Sequence, residues 1–232
     1  MSRVCLPDTL YQGRLAIRRV LMLKREDMLL YAVTDRSWLC GEELYEQVEK
    51  ALKGGTTFVQ LREKKLEKDL FLKEARLLKA LCKKYQVPFV INDDVDIALA
   101  VDADGAHVGQ SDMEAFDVRE KLGLDKIIGV TVNTVEQAIR AQEQGADYLG
   151  VGAVFATSTK GDAKEISHEV LKEICQSVTI PVVAIGGITA DNLMQLRGTG
   201  IAGIAVVSAI FASKDIEADT RKLKEKAECL VN

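Results

Sequence analysis

Three sets of residues in this chain have the types and spacing to handle phosphate chemistry. The first is the stretch Thr57-Phe58-Val59-Gln60-Leu61-Arg62-Glu63-Lys64, which begins apolar and β-branched and ends in charge. Successive side chains of a strand point to opposite faces, so an extended run puts Gln60, Arg62 and Lys64 on one face and Val59, Leu61 and Glu63 on the other. Two cations and an amide at the mouth of a buried strand suit an anion. The competing reading is a strand end entering a solvated loop, since the chain continues Lys65-Leu66-Glu67-Lys68-Asp69.

The second set is acidic. Val90-Ile91-Asn92-Asp93-Asp94 and Gly109-Gln110-Ser111-Asp112 each end an apolar run with a carboxylate. Asp93 and Asp112 together suit Mg²⁺, which takes hard oxygen ligands and keeps several waters. Helix capping is the competing role for Asp93, Asp94 and Asp112. The third set is neutral and small, apart from one lysine. Thr157-Ser158-Thr159-Lys160-Gly161, Gly186-Gly187 and Val207-Ser208 bring hydroxyls, a point charge and open backbone, a combination that surrounds phosphate. A plain Ser/Thr-rich loop is the alternative for Thr157–Thr159. Thr131 adds a hydroxyl donor, and Thr134 reads as the cap of a helix starting at Val135.

These residues need a scaffold, and the pattern supplies one. From Leu29 onward, short apolar runs alternate with helix-period segments. The runs are Leu29–Thr34, Thr57–Arg62, Pro88–Asn92, Gly105–Gly109, Ile127–Thr131, Tyr148–Gly152, Val182–Ile185 and Ile201–Val207. The helical segments are Leu44–Leu52, Leu70–Tyr85, Val95–Val101, Met113–Leu122, Val135–Gln144, Val170–Ser177 and Asn192–Leu196, with Leu70, Leu77, Leu78 and Leu81 expected on one apolar face. Alternation of this kind implies parallel pairing through crossover helices. Eight units in roughly 200 residues predict a single α/β domain, a (β/α)8 TIM barrel over 29–232. An open doubly wound sheet would carry a glycine-rich fingerprint after its first strand, and Thr34-Asp35-Arg36-Ser37 is not one. In a barrel the strand ends form the active site, so all three sets converge on one mouth. Arg62, Lys64 and Lys160, with Mg²⁺ on Asp93 and Asp112, would hold a diphosphate there. Gly186, Gly187, Ser208 and the 157–159 loop would hold a monophosphate.

Composition narrows the function. The net charge of −4 argues against a nucleic-acid partner, which needs a basic face. No apolar run approaches a membrane span. Cys5, Cys40, Cys82, Cys175 and Cys229 form no C-x-x-C pair, which argues against structural zinc and fits a reducing cytoplasm. No nucleophile is paired with His107 or His168, so the chemistry expected is positioning and leaving-group stabilisation rather than a covalent enzyme intermediate. His107 reads as a core or supporting residue. Residues 1–28 mix Leu15-Ala16-Ile17 and Val20-Leu21-Met22-Leu23 with Arg14, Arg18, Arg19, Lys24 and Arg25 and are expected to form a short N-terminal extension, helical or partly disordered. Translation from Met22 or Met28 is the alternative.

These motifs, together with Tyr31-Ala32-Val33-Thr34-Asp35 and Gly186-Gly187-Ile188, resemble the thiamine-phosphate synthase family in order and spacing from residue 29 to the end. The resemblance implies a transferase that joins a hydroxymethylpyrimidine diphosphate to a thiazole phosphate with Mg²⁺ as cofactor. It implies that Gln60, Arg62, Lys64, Asn92, Thr131 and Lys160 bind the pyrimidine diphosphate, with Arg62, Lys64 and Lys160 stabilising the leaving group. Asp93 and Asp112 would bind the metal. Thr157, Ser158, Thr159, Gly187, Val207 and Ser208 would hold the thiazole phosphate. The chain departs from the family pattern at Thr131, where serine is usual, at Asn133, where many members have histidine, and at Ala153 and Ala156, where proline is frequent. The related thiazole tautomerases, and a non-catalytic barrel that binds thiamine precursors, are the rival readings. The oligomeric state, a homo-oligomer included, is left open.

Overall fold

The computed structural model describes residues 23–39, 41–157 and 165–232. Eight parallel strands close into a barrel in sequence order. They are β1 (Leu30–Val33), β2 (Phe58–Leu61), β3 (Phe89–Asn92), β4 (Gly105–Val108), β5 (Ile127–Val132), β6 (Tyr148–Val151), β7 (Val182–Ile185) and β8 (Gly203–Val206). Closure comes from β8 pairing with β1, with Tyr31 opposite Ala205. Every strand is therefore bonded on both sides, and its sequence is apolar on both faces, as a covered parallel sheet requires.

Period-two alternation divides the apolar side chains into two cores. Leu30, Ala32, Val59, Leu61, Phe89 and Ile91 point outward into a shell beneath the helices. Tyr31, Val33, Phe58, Val90, Tyr148 and Val183 point inward and fill the barrel. Leu23 and Met28 pack into this inner cluster, and Met28 belongs to a 3-10 turn over Arg25–Met28. Arg25 ties that turn to the start of β8 by donating to the carbonyls of Gly200 and Ile201. Residues 1–22 of the expected extension lie outside the described residues.

The helices are α1 (Leu44–Gly54), α2 (Lys68–Tyr85), α3 (Val95–Ala100), α4 (Ala115–Leu122), α5 (Val135–Glu143), α6 (His168–Ser177), α7 (Ser208–Phe211) and α8 (Ile216–Val231). Side-chain caps start several of them: Asp94 accepts from the Ile97 amide, Thr134 from Gln137 and Ser167 from Val170. The expected Asn192–Leu196 helix is a 3-10 turn over Leu193–Leu196. Helix α2 corrects one expectation. Leu78 and Leu81 are buried, but Leu70 and Leu77 are 53% and 49% exposed. The buried stripe is Phe71, Ala75, Leu78, Leu81 and Cys82. Residues spaced by seven share a face, so Leu70 and Leu77 do stay together, but the small residues Ala75 and Cys82 mark where the helix meets the sheet. Helix α8, which the pattern analysis did not single out, covers α1 at Gly54, where a Cβ would lie 2.6 Å from the Glu217 carbonyl oxygen.

At the barrel end away from the strand termini, Arg119 is 3% exposed and donates to the carbonyls of Gly123, Lys126 and Gly145. Its charge is met by Asp147 at 2.6 Å, which also accepts from the Ile128 amide. One buried cation thereby fixes the turns that feed β5 and β6.

Candidate active site

The expected residues of β2 through β5 lie side by side around one half of the barrel mouth. On β2, Gln60 faces inward, is 4% exposed and donates its amide N–H to the Tyr31 hydroxyl. The strand ends at Leu61, so Arg62 and Lys64 stand on the loop that follows. The Arg62 amide donates to the Thr34 hydroxyl at 2.9 Å, and its guanidinium pairs with Asp35 at 3.2 Å. Lys64 reaches across to β3 and pairs with Asp93 at 2.6 Å. Glu63 turns away from both and pairs with Arg36, which also pairs with Glu74. Burial pushes the Glu63 carboxyl above its ordinary range, with the Arg36 guanidinium opposing the shift. Glu63 is thus committed to Arg36, and the two cations are paired with the carboxylates of Asp35 and Asp93.

Asn92 closes β3 and sits opposite His107 in register. Asp93 follows with φ of 61°, a left-handed conformation uncommon outside glycine but open to Asp. Its amide donates to the His107 carbonyl at 2.8 Å, which anchors the turn to β4. The helix cap is Asp94, so capping does not account for Asp93. Asp112 does not cap α4 either; Glu114 occupies that position, and Asp112 Oδ2 accepts from the Gly109 amide at 2.7 Å. Among the described residues, no group of three or more His, Cys, Asp or Glu is placed to hold a metal ion. On β5, the Thr131 hydroxyl lies 2.8 Å from His107 Nε2, and Gln110 donates to the Thr131 carbonyl. An open cleft of about 470 Å³ beside these strand ends is lined by Lys64, Asn92 and Asp93 among others.

The second half of the mouth is built from β6, β7 and β8. The chain after β6 runs along the end of β7: the Val154 amide donates to the Ile185 carbonyl and the Phe155 amide to Gly186. Gly187 is required there, with φ of 66° and a would-be Cβ 2.4 Å from the Ala156 carbonyl oxygen. Asn192 holds the same turn by donating to the Gly187 carbonyl. Thr157, the last described residue after β6, is half-buried. Val207 precedes α7, whose first residue is the exposed Ser208. The first amides of a helix have no intrahelical acceptor and point outward from its start. Ser158, Thr159 and Lys160 lie outside the described residues.

Two features were missed by sequence reasoning. Asp35 is the partner of Arg62, and an aromatic polar cluster of Tyr31, Tyr148 and His107 lies beneath Gln60 and Thr131. The available signal for the cluster was alternation: Tyr31, His107 and Tyr148 all fall on inward positions of their strands.

With this geometry in place, the similarities of the chain are informative. The sequence model of the family described as thiamine monophosphate synthase matches residues 30–210. The thiamine-phosphate synthase of Ruminiclostridium cellulolyticum is 54% identical over 204 residues, covering 88% of this chain and 97% of the relative. That of Clostridium tetani is 52% identical over 194 residues, covering 84% and 93%. Among solved structures, the thiamine phosphate pyrophosphorylase from Pyrococcus furiosus superposes with a TM-score of 0.83 at 40% identity, over 90% of this chain and 99% of that one. The family match spans all eight strands and reaches into α7, so it includes both halves of the mouth, and the chain belongs to the thiamine monophosphate synthase family.

Proposed function

We propose that this chain condenses 4-amino-2-methyl-5-hydroxymethylpyrimidine diphosphate with 4-methyl-5-hydroxyethylthiazole phosphate, giving thiamine phosphate and pyrophosphate. The observation that carries the reading is the division of the mouth into two arcs. Among the described residues, cations and carboxylates occupy the ends of β2, β3 and β4, while glycines and hydroxyls occupy those of β6, β7 and β8. One arc suits a diphosphate and its metal, the other a single phosphate held by backbone and hydroxyl donors.

In the reaction the bond between the pyrimidine methylene carbon and the diphosphate oxygen breaks, and its electron pair leaves with pyrophosphate. The methylene cation left behind is stabilised by the aminopyrimidine ring. The thiazole nitrogen then donates its lone pair to that carbon, forming the new C–N bond. The nucleophile belongs to the second substrate, so the protein needs none of its own. Arg62, Lys64 and Lys160 meet the negative charge that accumulates on the leaving group, and fixed cations in a partly enclosed site are effective at this. Gln60, Asn92 and Thr131 orient the pyrimidine. Thr157, Ser158, Thr159, Gly187, Val207 and Ser208 hold the thiazole phosphate so that its ring nitrogen faces the carbon, converting an encounter into a positioned attack.

The donor set fits Mg²⁺. Asp93 and Asp112 each use Oδ2 in a hydrogen bond and keep Oδ1 without one among the described residues. Mg²⁺ keeps several waters and takes substrate phosphate oxygens, so two carboxylates are enough protein ligands for it. When bound, the metal supplies positive charge to the departing diphosphate oxygens. Asp93 would then exchange its contact with Lys64, leaving that cation to the substrate.

The tautomerase alternative has no support at Asn133, where a histidine would be needed; the Asn133 backbone N–H donates to Gln137 Oε1, next to the Thr134 cap of α5. Free thiols at Cys82, Cys175 and Cys229 are compatible with a reducing cytoplasm. Among the described residues no helix is long and apolar enough to cross a membrane. The test is to mix the purified chain with both substrates, with and without Mg²⁺, and follow pyrophosphate and thiamine phosphate. Absence of product at every Mg²⁺ concentration would reject the function. Activity unchanged in Asp93→Ala plus Asp112→Ala would reject the metal site alone.

A further inference from the structure

The interior of a (β/α)8 barrel is ordinarily filled by branched apolar side chains. Here an unbroken hydrogen-bonded chain crosses it. Gln60 Nε2 contacts the Tyr31 hydroxyl, which lies 2.8 Å from the Tyr148 hydroxyl. The Tyr148 hydroxyl lies 2.9 Å from His107 Nδ1, and His107 Nε2 lies 2.8 Å from the Thr131 hydroxyl. The chain thus runs from β2 through β1, β6 and β4 to β5, joining two residues assigned to the pyrimidine. Its geometry is tightly specified. Tyr31 and Tyr148 pack edge to face at 5.8 Å, and both pack on Phe58. Gly129 clears the space they need, since a Cβ there would lie 2.1 Å from the Tyr148 ring and 2.4 Å from His107 Nδ1.

The chain also has a countable number of protons. Burial holds both phenols well above their ordinary range, so each remains an O–H across the usual pH range. With a neutral imidazole, the three interior groups supply three protons for four hydrogen bonds. The fourth proton must come from one end, either the Gln60 amide or the Thr131 hydroxyl. The Gln60 amide nitrogen faces Tyr31, and this orients every bond the same way. Tyr31 donates to Tyr148, Tyr148 donates to His107 Nδ1, and His107 Nε2–H donates to Thr131.

We infer that Tyr31, Tyr148 and His107 are positioning residues that fix the hydrogen-bonding polarity of the pyrimidine pocket and make it selective for an aminopyrimidine over its oxo counterpart. Gln60 Oε1 is left as an acceptor on one wall, and the Thr131 O–H, whose oxygen already accepts from His107, is left as a donor on the other. An aminopyrimidine carries an N–H donor beside a ring-nitrogen acceptor and matches that pair. The oxo form carries a carbonyl beside a ring N–H and reverses it, which would leave polar groups unpaired in a closed site. This inference rests on the reading that Gln60 and Thr131 face the pyrimidine, and it adds residues that touch neither substrate.

The test uses the full chain with ¹⁵N-labelled histidine. The sequence has two histidines, so His168→Gln leaves His107 as the only signal. The expected state is a neutral imidazole with its proton on Nε2, and Tyr148→Phe is expected to give a mixture of tautomers. A proton on Nδ1, or an imidazolium, in the otherwise unaltered chain would overturn the inference. Kinetically, Tyr148→Phe should raise KM for the pyrimidine diphosphate about tenfold, as expected for one misdirected hydrogen bond, and leave KM for the thiazole phosphate unchanged. The preference in kcat/KM for the amino over the oxo diphosphate should fall about tenfold. An unchanged preference would also overturn it. Should Tyr148→Phe fail to fold, Tyr31→Phe cuts the same chain nearer Gln60. That variant should lose the preference while His107 keeps its Nε2 proton, and an intact preference would again count against the inference. No product from the unaltered chain with either diphosphate would overturn the proposed function, and the tautomer measurement would still decide the polarity.

Discussion

Gly129→Ala places a methyl group where the barrel interior has no room, and its cost can be worked from the neighbours. The new Cβ would stand 2.1 Å from the Tyr148 ring, 2.3 Å from its hydroxyl and 2.4 Å from His107 Nδ1, all well inside van der Waals contact. The backbone has little freedom to retreat, because Gly129 pairs with His107 on one side and Tyr148 on the other. The rings must therefore move. Overpacking of this kind costs about 1–3 kcal/mol. The same movement breaks the bonds from His107 to Tyr148 and Thr131, each worth about 1 kcal/mol net. Restricting the unfolded chain returns about 0.4–1 kcal/mol, because alanine has less freedom to lose than glycine. The net loss is about 2–5 kcal/mol. Gly150→Ala is the internal control, since its Cβ would lie 3.2 Å from His107 Cε1 and needs a shift of only a few tenths of an ångström. Urea unfolding followed by circular dichroism reads both, as a drop in midpoint with the slope unchanged. A Gly129→Ala loss below about 0.5 kcal/mol, or one no larger than that of Gly150→Ala, would refute the packing argument.

Other perturbations have defined outcomes. Arg119→Met leaves the half-buried Asp147 without its cation and should lose about 3 kcal/mol in the same urea assay. On α2, Leu77→Lys should change stability by less than about 0.5 kcal/mol, whereas Leu78→Ala should lose about 2–5 kcal/mol, a contrast that checks the face reported for that helix. Thr131→Ser should retain the KM for the pyrimidine diphosphate in steady-state assays, and Thr131→Val should raise it by about tenfold through loss of one hydrogen bond. Burial pushes the Cys82 thiol up to about 12, so it stays protonated near neutral pH. Iodoacetamide at pH 8 followed by peptide mapping should modify the exposed Cys229 and spare Cys82 in the folded chain.

The barrel was legible because strands covered on both faces leave continuous runs such as Phe89-Val90-Ile91, and crossover helices separate them at regular intervals. Helix α8 was harder to read, because its buried stripe of Ile216, Thr220, Leu223, Ala227 and Leu230 is thinned by Thr and Ala between charges. The face of α2 was misread because leucine spacing alone does not say which side packs, and Ala75 and Cys82 carried the answer. At the mouth, strand-end position was enough to bring Gln60, Asn92, Asp93 and Thr131 together. The ion pairs were not visible, because Arg62–Asp35 and Lys64–Asp93 join residues 27 and 29 positions apart in sequence. The chain of Tyr31, Tyr148 and His107 escaped notice because an inward aromatic residue looks like packing until its hydroxyl is seen to meet another polar group.

The proposed function depends on the two arcs of the barrel mouth, and its most direct measurement is the separate KM for each substrate in paired variants. Lys64→Ala should raise KM for the pyrimidine diphosphate and leave that for the thiazole phosphate unchanged, and Ser208→Ala should do the reverse. Both variants raising both constants equally, or each raising the constant assigned to the other arc, would contradict the division on which the proposed function rests.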